Sequence, residues 1–283
     1  QGPPIALRAH HHQPFEPSLR TMLLALNEPG GNELHHAELA ANAIARAYAE
    51  VVQAVLRAGD ALPRDVRAIG AHGQTVRHRP REFDGTGYTV QLLNGALLAE
   101  LTGIDVVANL RQRDVAAGGQ GAPLAPGLHA ALFAAPGETR VVLNLGGIAN
   151  LTVLGAQGAV IGFDCGPASA LLDGWCQRHR GAPFDDDGRW AASGRVIESL
   201  LEAMLAEPFF ALAPPKSTGR DLFNLAWLDN HLLRHTHDAA PVDVQATLAA
   251  LTIESVARDV RRHAGEAAQL IACGGGARNS HLM

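Results

Sequence analysis

A pair of glycines separates two apolar runs near the middle of the chain, in the sequence VVLNLGGIANLTVL at residues 141–154. Valine, isoleucine and threonine favour extended backbone, and a Gly-Gly pair between two such runs is typical of a tight β-turn. We therefore predict a hairpin whose strands are Val141–Leu145 and Asn150–Leu154 and whose turn is Gly146-Gly147.

The sequence after the hairpin predicts further strands and helices. Residues Ala159–Phe163 indicate a third strand, which leads through Asp164-Cys165-Gly166-Pro167 into a helix at Ser169–Arg180. A long amphipathic helix is expected at 243–263, with Asp243 as its N-cap, and a last strand at Gln269–Cys273. This order of elements is typical of an α/β domain.

The sequence before the hairpin has its own order of strands and helices, and the pattern begins again after Pro136-Gly137. We therefore predict an α/β fold with two domains, residues 1–138 and 139–283. The elements predicted in the first domain are strand Ile5–Arg8, helix 36–57, strand Val66–Gly70, helix 94–101, strand Ile104–Ala108, a glycine-rich loop at 111–123 and helix 126–133.

The composition argues against several classes of protein. The chain has 283 residues, 47% of them hydrophobic and 18% charged, which is enough apolar material for a sizeable core. No apolar run approaches the ~18 residues of a membrane-spanning helix, and a net charge of −5 provides no basic field for nucleic acid. The three cysteines are far apart, which argues against a disulfide framework. We therefore expect a cytoplasmic protein whose partners include neither nucleic acid nor a membrane.

Two glycine turns are candidates for phosphate binding. Gly146-Gly147 lies between two predicted strands, and Gly274-Gly275-Gly276 follows the last predicted strand. Because glycine lacks a Cβ, its backbone N–H group can approach a phosphate closely, and the start of a helix adds partial positive charge. A plain hairpin and a plain strand–helix loop explain the same residues, and the spacing leaves both explanations open.

Two charged residues are candidates for catalysis or substrate binding. Asp164 follows an apolar strand, where open α/β sheets bind ligands, so it is a candidate general base; a turn or capping aspartate is the alternative. Arg113 offers a planar donor fork for a carboxylate or phosphate, and a surface ion pair with Asp114 is the alternative.

Polar and histidine-rich segments are compared with the requirements of sugar and metal sites. The cluster His72-Gly73-Gln74-Thr75 follows a predicted strand and is suited to sugar hydroxyls, with a self-contained turn as the alternative. Histidines also occur together at 10–12, at 35–36 and at His235 and His237. Their neighbourhoods lack the carboxylate or cysteine spacing of a metal site, so we predict no metal ligands.

Taken as whole strings, these segments resemble the anhydro-N-acetylmuramic acid kinases. The strings occur in one order from about Ile5 to Met283, which makes the resemblance more specific than any single glycine motif. They are AIGAHGQTVRH at 68–78, LLAELTGIDVVA at 97–108, RDVAAGGQGAPL at 113–124, NLGGIAN at 144–150, GFDCGP at 162–167, PKSTGR at 215–220 and CGGGA at 273–277.

The resemblance implies a fold of the sugar kinase/Hsp70/actin superfamily, with two RNase H-like (actin-like ATPase) domains around a nucleotide cleft. It implies ATP-dependent hydrolytic opening of 1,6-anhydro-N-acetylmuramic acid and phosphorylation of the freed 6-oxygen. The product, N-acetylmuramic acid 6-phosphate, belongs to bacterial peptidoglycan recycling. ATP and Mg²⁺ would be the cofactors, an amino sugar would be the small-molecule substrate, and the enzyme would be a cytoplasmic homodimer.

The resemblance also assigns roles to residues. Asp164 would be the catalytic base that deprotonates the water attacking C1 of the sugar. The substrate-binding residues would be Arg113, His72, Gln74, Thr75 and Asn94, and the nucleotide-binding residues would be Asn144, Gly146, Gly147, Gly274, Gly275 and Gly276. No residue is assigned as a metal ligand.

The sequence departs from the family pattern at three places. The phosphate hairpin that opens family members and their elements beyond the position of Met283 have no counterpart here, so we expect both domains to be incomplete. Ala168-Ser169 stands where members commonly have Gly-Asn, which replaces an amide by a hydroxyl. Since a missing phosphate hairpin removes electrostatic stabilisation, the alternative function is a non-catalytic sugar- or nucleotide-binding fragment of the family.

Overall fold

The computed structural model describes residues 5–236, 238–265 and 267–283. The chain divides into two units, Gln1–Gly121 and Ala122–Met283. Both units contain helices and strands, so the predicted α/β class is confirmed at this level. The RNase H-like arrangement, the domain ranges 1–138 and 139–283 and the incompleteness of the domains stay predictions. In the described part of the chain, no helix is both long and apolar enough to cross a membrane.

The first unit is organised around its longest helix. This helix buries Ala40, Ala41, Ile44, Ala45 and Ala49, a spacing that places them on one face. The helices of the unit are α1 (Pro17–Ala25), α2 (Glu33–Ala58), α3 (Gly95–Thr102) and α4 (Leu110–Ala116), and its strands are β1 (Ile69–Gly70), β2 (Gln74–Pro80), β3 (Gly87–Leu92) and β4 (Val106–Val107). The small side chains on α2 allow α3 and β3 to pack against it.

Four predictions for the first unit are wrong. Ile5–Arg8 forms no strand and is exposed, because no strand of the described residues runs beside it. The buried strand predicted at Val66–Gly70 shrinks to the two residues of β1, which are not fully buried. The strand predicted at Ile104–Ala108 likewise shrinks to the two residues of β4, which pair in parallel with β1. The start of the loop predicted at 111–123 is helical, since the Leu-Arg-Gln-Arg run of α4 consists of good helix formers. The helices predicted at 36–57 and 94–101 are confirmed as α2 and α3.

The sequence patterns do not predict the hairpin formed by β2 and β3. Its first strand, QTVRHRP, carries polar side chains on both faces and lacks the apolar alternation that identifies a strand. Its turn is closed by the side chain of Asp84, whose Oδ1 accepts the N–H groups of Thr86 and Gly87 at 2.9 and 2.8 Å. Local turn chemistry therefore forms this hairpin without a strong strand signal.

The second unit contains a four-stranded sheet with the order β7-β6-β5-β8. The strands are β5 (Arg140–Leu145), β6 (Ile148–Leu154), β7 (Val160–Pro167) and β8 (Gln269–Cys273), and the helices are α5 (Pro126–Phe133), α6 (Ser169–Arg180), α7 (Arg189–Ser193), α8 (Glu198–Leu205), α9 (Leu225–His235) and α10 (Pro241–Ala264). Neighbouring strands β5, β6 and β7 are antiparallel, whereas β5 and β8 are parallel. The sheet is therefore mixed, with the predicted hairpin β5–β6 at its centre.

Helices cover both faces of this sheet. On one face, Val141, Leu143 and Leu145 of β5 form a buried cluster that includes Val256 of α10. On the other face, α5 packs against β6 and β7. Gly162 makes this close packing possible, because a Cβ there would lie 2.3 Å from the Cγ of Pro126.

The predictions for the second unit hold for most elements. The hairpin β5–β6 and the elements α5, α6 and β8 are confirmed. The third strand is longer than predicted, because β7 continues to Pro167 and so includes Asp164. Asp243 is not the N-cap of α10: Ala240 takes that position, and Asp243 instead accepts the N–H of Arg195 at 2.8 Å.

Candidate functional site

Four side chains form a row across the sheet of the second unit. Asp164 of β7 pairs with Asn150 of β6, Asn150 pairs with Asn144 of β5, and Asn144 pairs with Cys273 of β8. Directly paired residues share a face of a sheet, so these side chains project to one side. The Sγ of Cys273 lies 3.8 Å from the Oδ1 of Asn144. We call Asp164, Asn150, Asn144 and Cys273 the polar row.

The polar row faces away from α10. The strand neighbours of the row are apolar: Leu143, Leu151 and Phe163 are adjacent in sequence to Asn144, Asn150 and Asp164. These three apolar residues pair with one another across the strands and belong to the buried cluster that includes Val256 of α10. Successive side chains of a strand point to opposite faces, so their polar neighbours point to the other side. A bulge at Cys165 shifts the register of β6 and β7 next to the row, and the pairing then continues to Pro167; bulges are common beside functional sites.

Asp164 is the carboxylate of the polar row, and it is 5% exposed. Its Oδ2 accepts the N–H of Thr218 at 2.9 Å, and its own N–H donates to the C=O of Lys216 at 3.0 Å. Asp164 lies within β7, and the N-cap of α6 is Ala168. The alternative of a capping aspartate is therefore wrong, and the structure places a buried, oriented carboxylate at the position of the predicted base.

Two residues beside Asp164 received no role from the sequence. The Nζ of Lys216 lies 3.0 Å from the Oδ2 of Asp259 in α10, and the two side chains are only 1% and 4% exposed. The string PKSTGR contains Lys216 and was a possible signal, whereas Asp259 lies unmarked in a long helix. We call Lys216–Thr218, the segment that passes Asp164, the strap.

The structure brings the two predicted glycine turns together at one edge of the sheet. Gly274 has φ +86°, and a Cβ there would lie 2.6 Å from both the Oδ1 of Asn144 and the C=O of Leu145. A Cβ on Gly276 would lie 2.7 Å from the Cβ of Leu145. The turn after β8 therefore packs against the last residues of β5, immediately before Gly146.

Both turns present unpaired backbone N–H groups. The C=O groups of Gly146 and Gly147 accept the first N–H groups of α6, including that of Ser169 at 3.0 Å. The N–H groups of Gly146, Gly147, Gly275 and Gly276 donate to no residue in the described part of the chain. Backbone donors on two turns that pack together suit an anion. At Ser169, where the family commonly has Asn, the main chain supports the turn through this hydrogen bond.

In the first unit, His72 is held by Arg111. The Nε of Arg111 donates to the Nε2 of His72 at 2.8 Å, and its Nη1 donates to the C=O of Gly121 at 2.6 Å. The Nδ1 of His72 lies 2.8 Å from the C=O of Gly73. Arg111 stands in the same Arg-Gln-Arg run as Arg113 but received no role, because a partner 39 residues away gives no sequence signal.

The other candidates near His72 have partners within the unit. The Oδ1 of Asn94 accepts the N–H of Leu97 at 2.9 Å as the N-cap of α3, and its Nδ2 donates to Asn42 at 2.7 Å. The Oγ1 of Thr75 accepts a hydrogen bond from Gln91 at 3.3 Å. The Nε2 of Gln74 donates to the C=O of Thr75 at 3.3 Å. Pairing of Gln74 with Leu92 brings the start of β2 close to Asn94.

Arg113 is separate from this group. It lies on α4, two positions after Arg111, and residues two apart on a helix do not share a face. Its side chain is exposed and has no hydrogen-bond or ion-pair partner in the described ranges. The predicted alternative, an ion pair with Asp114, is absent there, and Asp114 instead accepts the N–H of Gly121 at 2.7 Å.

The described residues contain no cluster of three or more His, Cys, Asp or Glu side chains that suits a metal ion. His237, one of the histidines considered for metal binding, lies outside the described residues.

Asp173 of α6 is a further carboxyl that the sequence did not single out. Burial raises its pKa to about 6, against the opposing effect of Arg220.

Comparisons with known proteins identify the family of the chain. A family model described as anhydro-N-acetylmuramic acid kinase matches residues 3–283. The chain is 58% identical to the anhydro-N-acetylmuramic acid kinase of Cupriavidus metallidurans, covering 100% of this chain and 75% of that protein. It is 60% identical to that of Cupriavidus pinatubonensis, covering 98% and 75%.

Solved structures give a much weaker match. The activator of 2-hydroxyisocaproyl-CoA dehydratase from Clostridium difficile, with bound ADPNP, is 15% identical and has a TM-score of 0.41, covering 82% of this chain and 68% of that chain. The family model and the relatives suffice: the chain belongs to the anhydro-N-acetylmuramic acid kinase family and is a phosphotransferase with an alcohol group as acceptor.

Proposed function

We propose that the chain converts 1,6-anhydro-N-acetylmuramic acid to N-acetylmuramic acid 6-phosphate, with ATP as phosphoryl donor and Asp164 as general base. Water adds to C1 of the sugar, the bond between C1 and O6 breaks, and O6 takes the phosphoryl group. The products are the 6-phosphate and ADP. The proton that leaves the attacking water passes to the carboxylate of Asp164.

One observation carries the role of Asp164. It is a buried carboxylate whose Oδ2 is oriented by the N–H of Thr218, in a polar row that also includes Asn144. Asn144 in turn contacts the glycine turn at Gly274. A carboxylate oriented beside a phosphate-binding edge fits a kinase that must also activate a water molecule.

The two glycine turns fit the phosphates of ATP. The N–H groups of Gly146, Gly147, Gly275 and Gly276 have no partner among the described residues, and they lie on turns that pack together. Backbone donors of this kind bind phosphate without a side chain. When bound with ATP, Mg²⁺ neutralises charge on the transferring phosphoryl group. Magnesium is usually held by one or two carboxylates and by phosphate oxygens. Asp164 of the polar row would supply a carboxylate, and ATP bound at the turns would supply the phosphate oxygens.

The test is the activity of an Asp164→Asn variant. Asparagine keeps the shape of the side chain but cannot take a proton, so we expect kcat to fall about 10²- to 10⁴-fold. Release of ADP and formation of the 6-phosphate from the anhydro sugar are measured together.

A matched control is Asp243→Asn. The Asp243 carboxylate also accepts a backbone N–H, that of Arg195 at 2.8 Å. Its replacement is expected to leave kcat unchanged. Wild-type turnover by Asp164→Asn would remove the proposed base.

The resemblance also predicts a cytoplasmic homodimer that acts in peptidoglycan recycling. These properties, together with the sugar-binding roles of Arg113, His72, Gln74, Thr75 and Asn94, remain part of the proposal. Membership of a kinase family does not favour the alternative of a non-catalytic fragment.

A further inference from the structure

We propose that Lys216 is a positioning residue for the catalytic base, and that its buried ion pair with Asp259 holds the strap against Asp164. The inference rests on the proposed role of Asp164. The positioning role explains why Lys216 and Asp259 form a buried ion pair although neither side chain takes part in the reaction itself.

Hydrogen bonds join the strap to Asp164 through both its main chain and its carboxylate. The C=O of Lys216 accepts the Asp164 N–H at 3.0 Å, which fixes the main chain of β7 at this residue. The N–H of Thr218 donates to the Oδ2 of Asp164 at 2.9 Å, which fixes the orientation of the carboxylate. A displacement of about 1 Å in a catalytic group can reduce the rate about 10²-fold, so the position of the strap matters.

The strap has no regular secondary structure, so its position depends on an anchor. The side chain of Lys216 provides one, because it is 1% exposed and its Nζ lies 3.0 Å from the Oδ2 of Asp259. The same Nζ lies 4.9 Å from the ring centroid of Phe209, a cation–π contact. The anchor therefore reaches from the strap into the interior, where α10 supplies the opposite charge.

The ion pair also borders β7 from the face opposite the Asp164 side chain. The Nζ of Lys216 lies 5.8 Å from the ring centroid of Phe163, the residue before Asp164. Burial, and after it the Asp259 carboxylate, raises the pKa of the thiol of Cys165, the residue after Asp164. Both sequence neighbours of the base are thus close to the pair, which connects the strap, β7 and α10 at one point.

Stability alone is a poor explanation for this pair. The cost of removing two charges from water offsets much of their attraction, and a buried ion pair can be replaced by neutral side chains of similar size without loss of folding. Such a replacement separates a positioning role from a structural one.

The experiment compares wild type with the double variant Lys216→Met/Asp259→Asn, which removes both charges and nearly conserves volume. We expect a cooperative thermal transition close to that of wild type and nearly unchanged KM for ATP and for the anhydro sugar. We expect kcat to fall about 10- to 100-fold, because the base is less well oriented. Wild-type kcat in the folded double variant would overturn the inference.

A matched control removes another ion pair of the same unit. Arg178 of α6 and Asp229 of α9 lie 2.5 Å apart, and among the described residues the polar partners of the two side chains are each other and not the strap. The variant Arg178→Met/Asp229→Asn is expected to keep the wild-type kcat. An equal fall in kcat in this control would assign the effect to general loosening of the unit and overturn the inference.

A positioning residue acts through the group that it positions. Adding Asp164→Asn to the double variant is therefore expected to reduce kcat no further than Asp164→Asn alone. Losses that multiply would show that Lys216 acts independently of Asp164. If Asp164→Asn itself has wild-type activity, the proposed function fails; if Asp164→Asn is slow and the double variant is fast, only the role of Lys216 fails.

A milder variant keeps the inference testable if the double variant does not fold. Asp259→Glu retains both charges and lengthens one partner by a methylene group, which shifts the anchor of the strap. We expect a smaller fall in kcat with unchanged KM, again without further loss when combined with Asp164→Asn. Wild-type kcat in Asp259→Glu would count against the role of Lys216.

Discussion

The two units hold their candidate residues by different means. In the second unit, Asp164 and Asn144 lie on paired strands whose register places them in one row. In the first unit, His72 and Asn94 are held by the side chains of Arg111 and Asn42. Main-chain pairing follows from the alternation of apolar residues, whereas a side-chain partner depends on one particular residue far away in sequence.

This difference predicts where substitutions act. A residue held by strand pairing tolerates changes in its side chain as long as the backbone keeps its path. A residue held by side chains is displaced when one partner is removed. Backbone changes should therefore be most harmful in the second unit, and changes to single side chains should separate binding from stability in the first.

The largest effect on stability is expected for Gly274→Ala. Gly274 has φ +86° and ψ 176°, a conformation that essentially only glycine adopts, and a Cβ would lie 2.6 Å from Leu145 C=O. Backbone strain of about 1–3 kcal/mol and overpacking of about 1–3 kcal/mol together predict a loss of roughly 3 kcal/mol in the free energy of unfolding. Urea denaturation measures this loss, and titration with ATP is expected to show weaker binding.

The control for this prediction is Gly137→Ala. Gly137 also has a positive φ, +78°, but a Cβ there would meet nothing within 4 Å. Only the cost of the left-handed backbone remains, about 1–2 kcal/mol. Equal losses of unfolding free energy in the two variants would mean that the packing of Gly274 against Asn144 and Leu145 of β5 relaxes without cost.

The elements that sequence patterns predicted well are those whose signal is local. The hairpin β5–β6 has a Gly-Gly turn between apolar runs, and α6 ends at Gly181, which has φ +67°. The hairpin β2–β3 was missed because its strands are polar and its turn depends on the Asp84 side chain. The length of β7 was underestimated because Asp164 and Gly166 resemble turn residues, although pairing with β6 carries the strand past them.

The residues of the candidate site also fall into two groups, those with a local sequence signal and those without one. Asp164 and the glycine turns could be chosen from the sequence, because a carboxylate and paired glycines next to strands are recognisable. The two glycine turns meet at one edge of the sheet because β5 pairs in parallel with β8, which lies more than a hundred residues away in sequence. No local pattern predicts such a pairing. Lys216 and Arg111 stand in strings that the sequence marked, but their partners Asp259 and His72 could not be inferred, since a buried ion pair and a His–Arg contact between distant segments leave no periodic pattern.

A smaller effect is expected when the N-cap Asn94 is replaced by Ala. Its Oδ1 accepts the N–H of Leu97 at 2.9 Å, and loss of an N-cap typically costs about 1 kcal/mol. Asn224→Ala is the matched control, because Asn224 caps α9 in the same way, through the N–H of Trp227 at 2.9 Å. Thermal denaturation is expected to show similar losses in both variants.

Enzyme kinetics then separate the two asparagines. If Asn94 contacts the sugar, Asn94→Ala raises the KM for the anhydro sugar, whereas Asn224→Ala leaves it unchanged. A KM that stays the same in both variants would reduce Asn94 to a helix cap and remove it from the substrate-binding set.

The smallest effect on stability is expected for Arg113→Ala, because this side chain is exposed and makes no hydrogen bond or ion pair with the described residues. The free energy of unfolding should change by less than about 0.5 kcal/mol. Arg111→Ala provides the contrast, since it removes the hydrogen bonds to His72 and Gly121 and should cost about 1–2 kcal/mol.

If Arg113 binds the charged sugar, its loss raises the KM roughly 10- to 100-fold, as expected for a charge-assisted hydrogen bond. Calorimetric binding of the anhydro sugar checks this: an affinity that Arg113→Ala leaves intact would show that an exposed arginine without a partner is only part of the solvated surface.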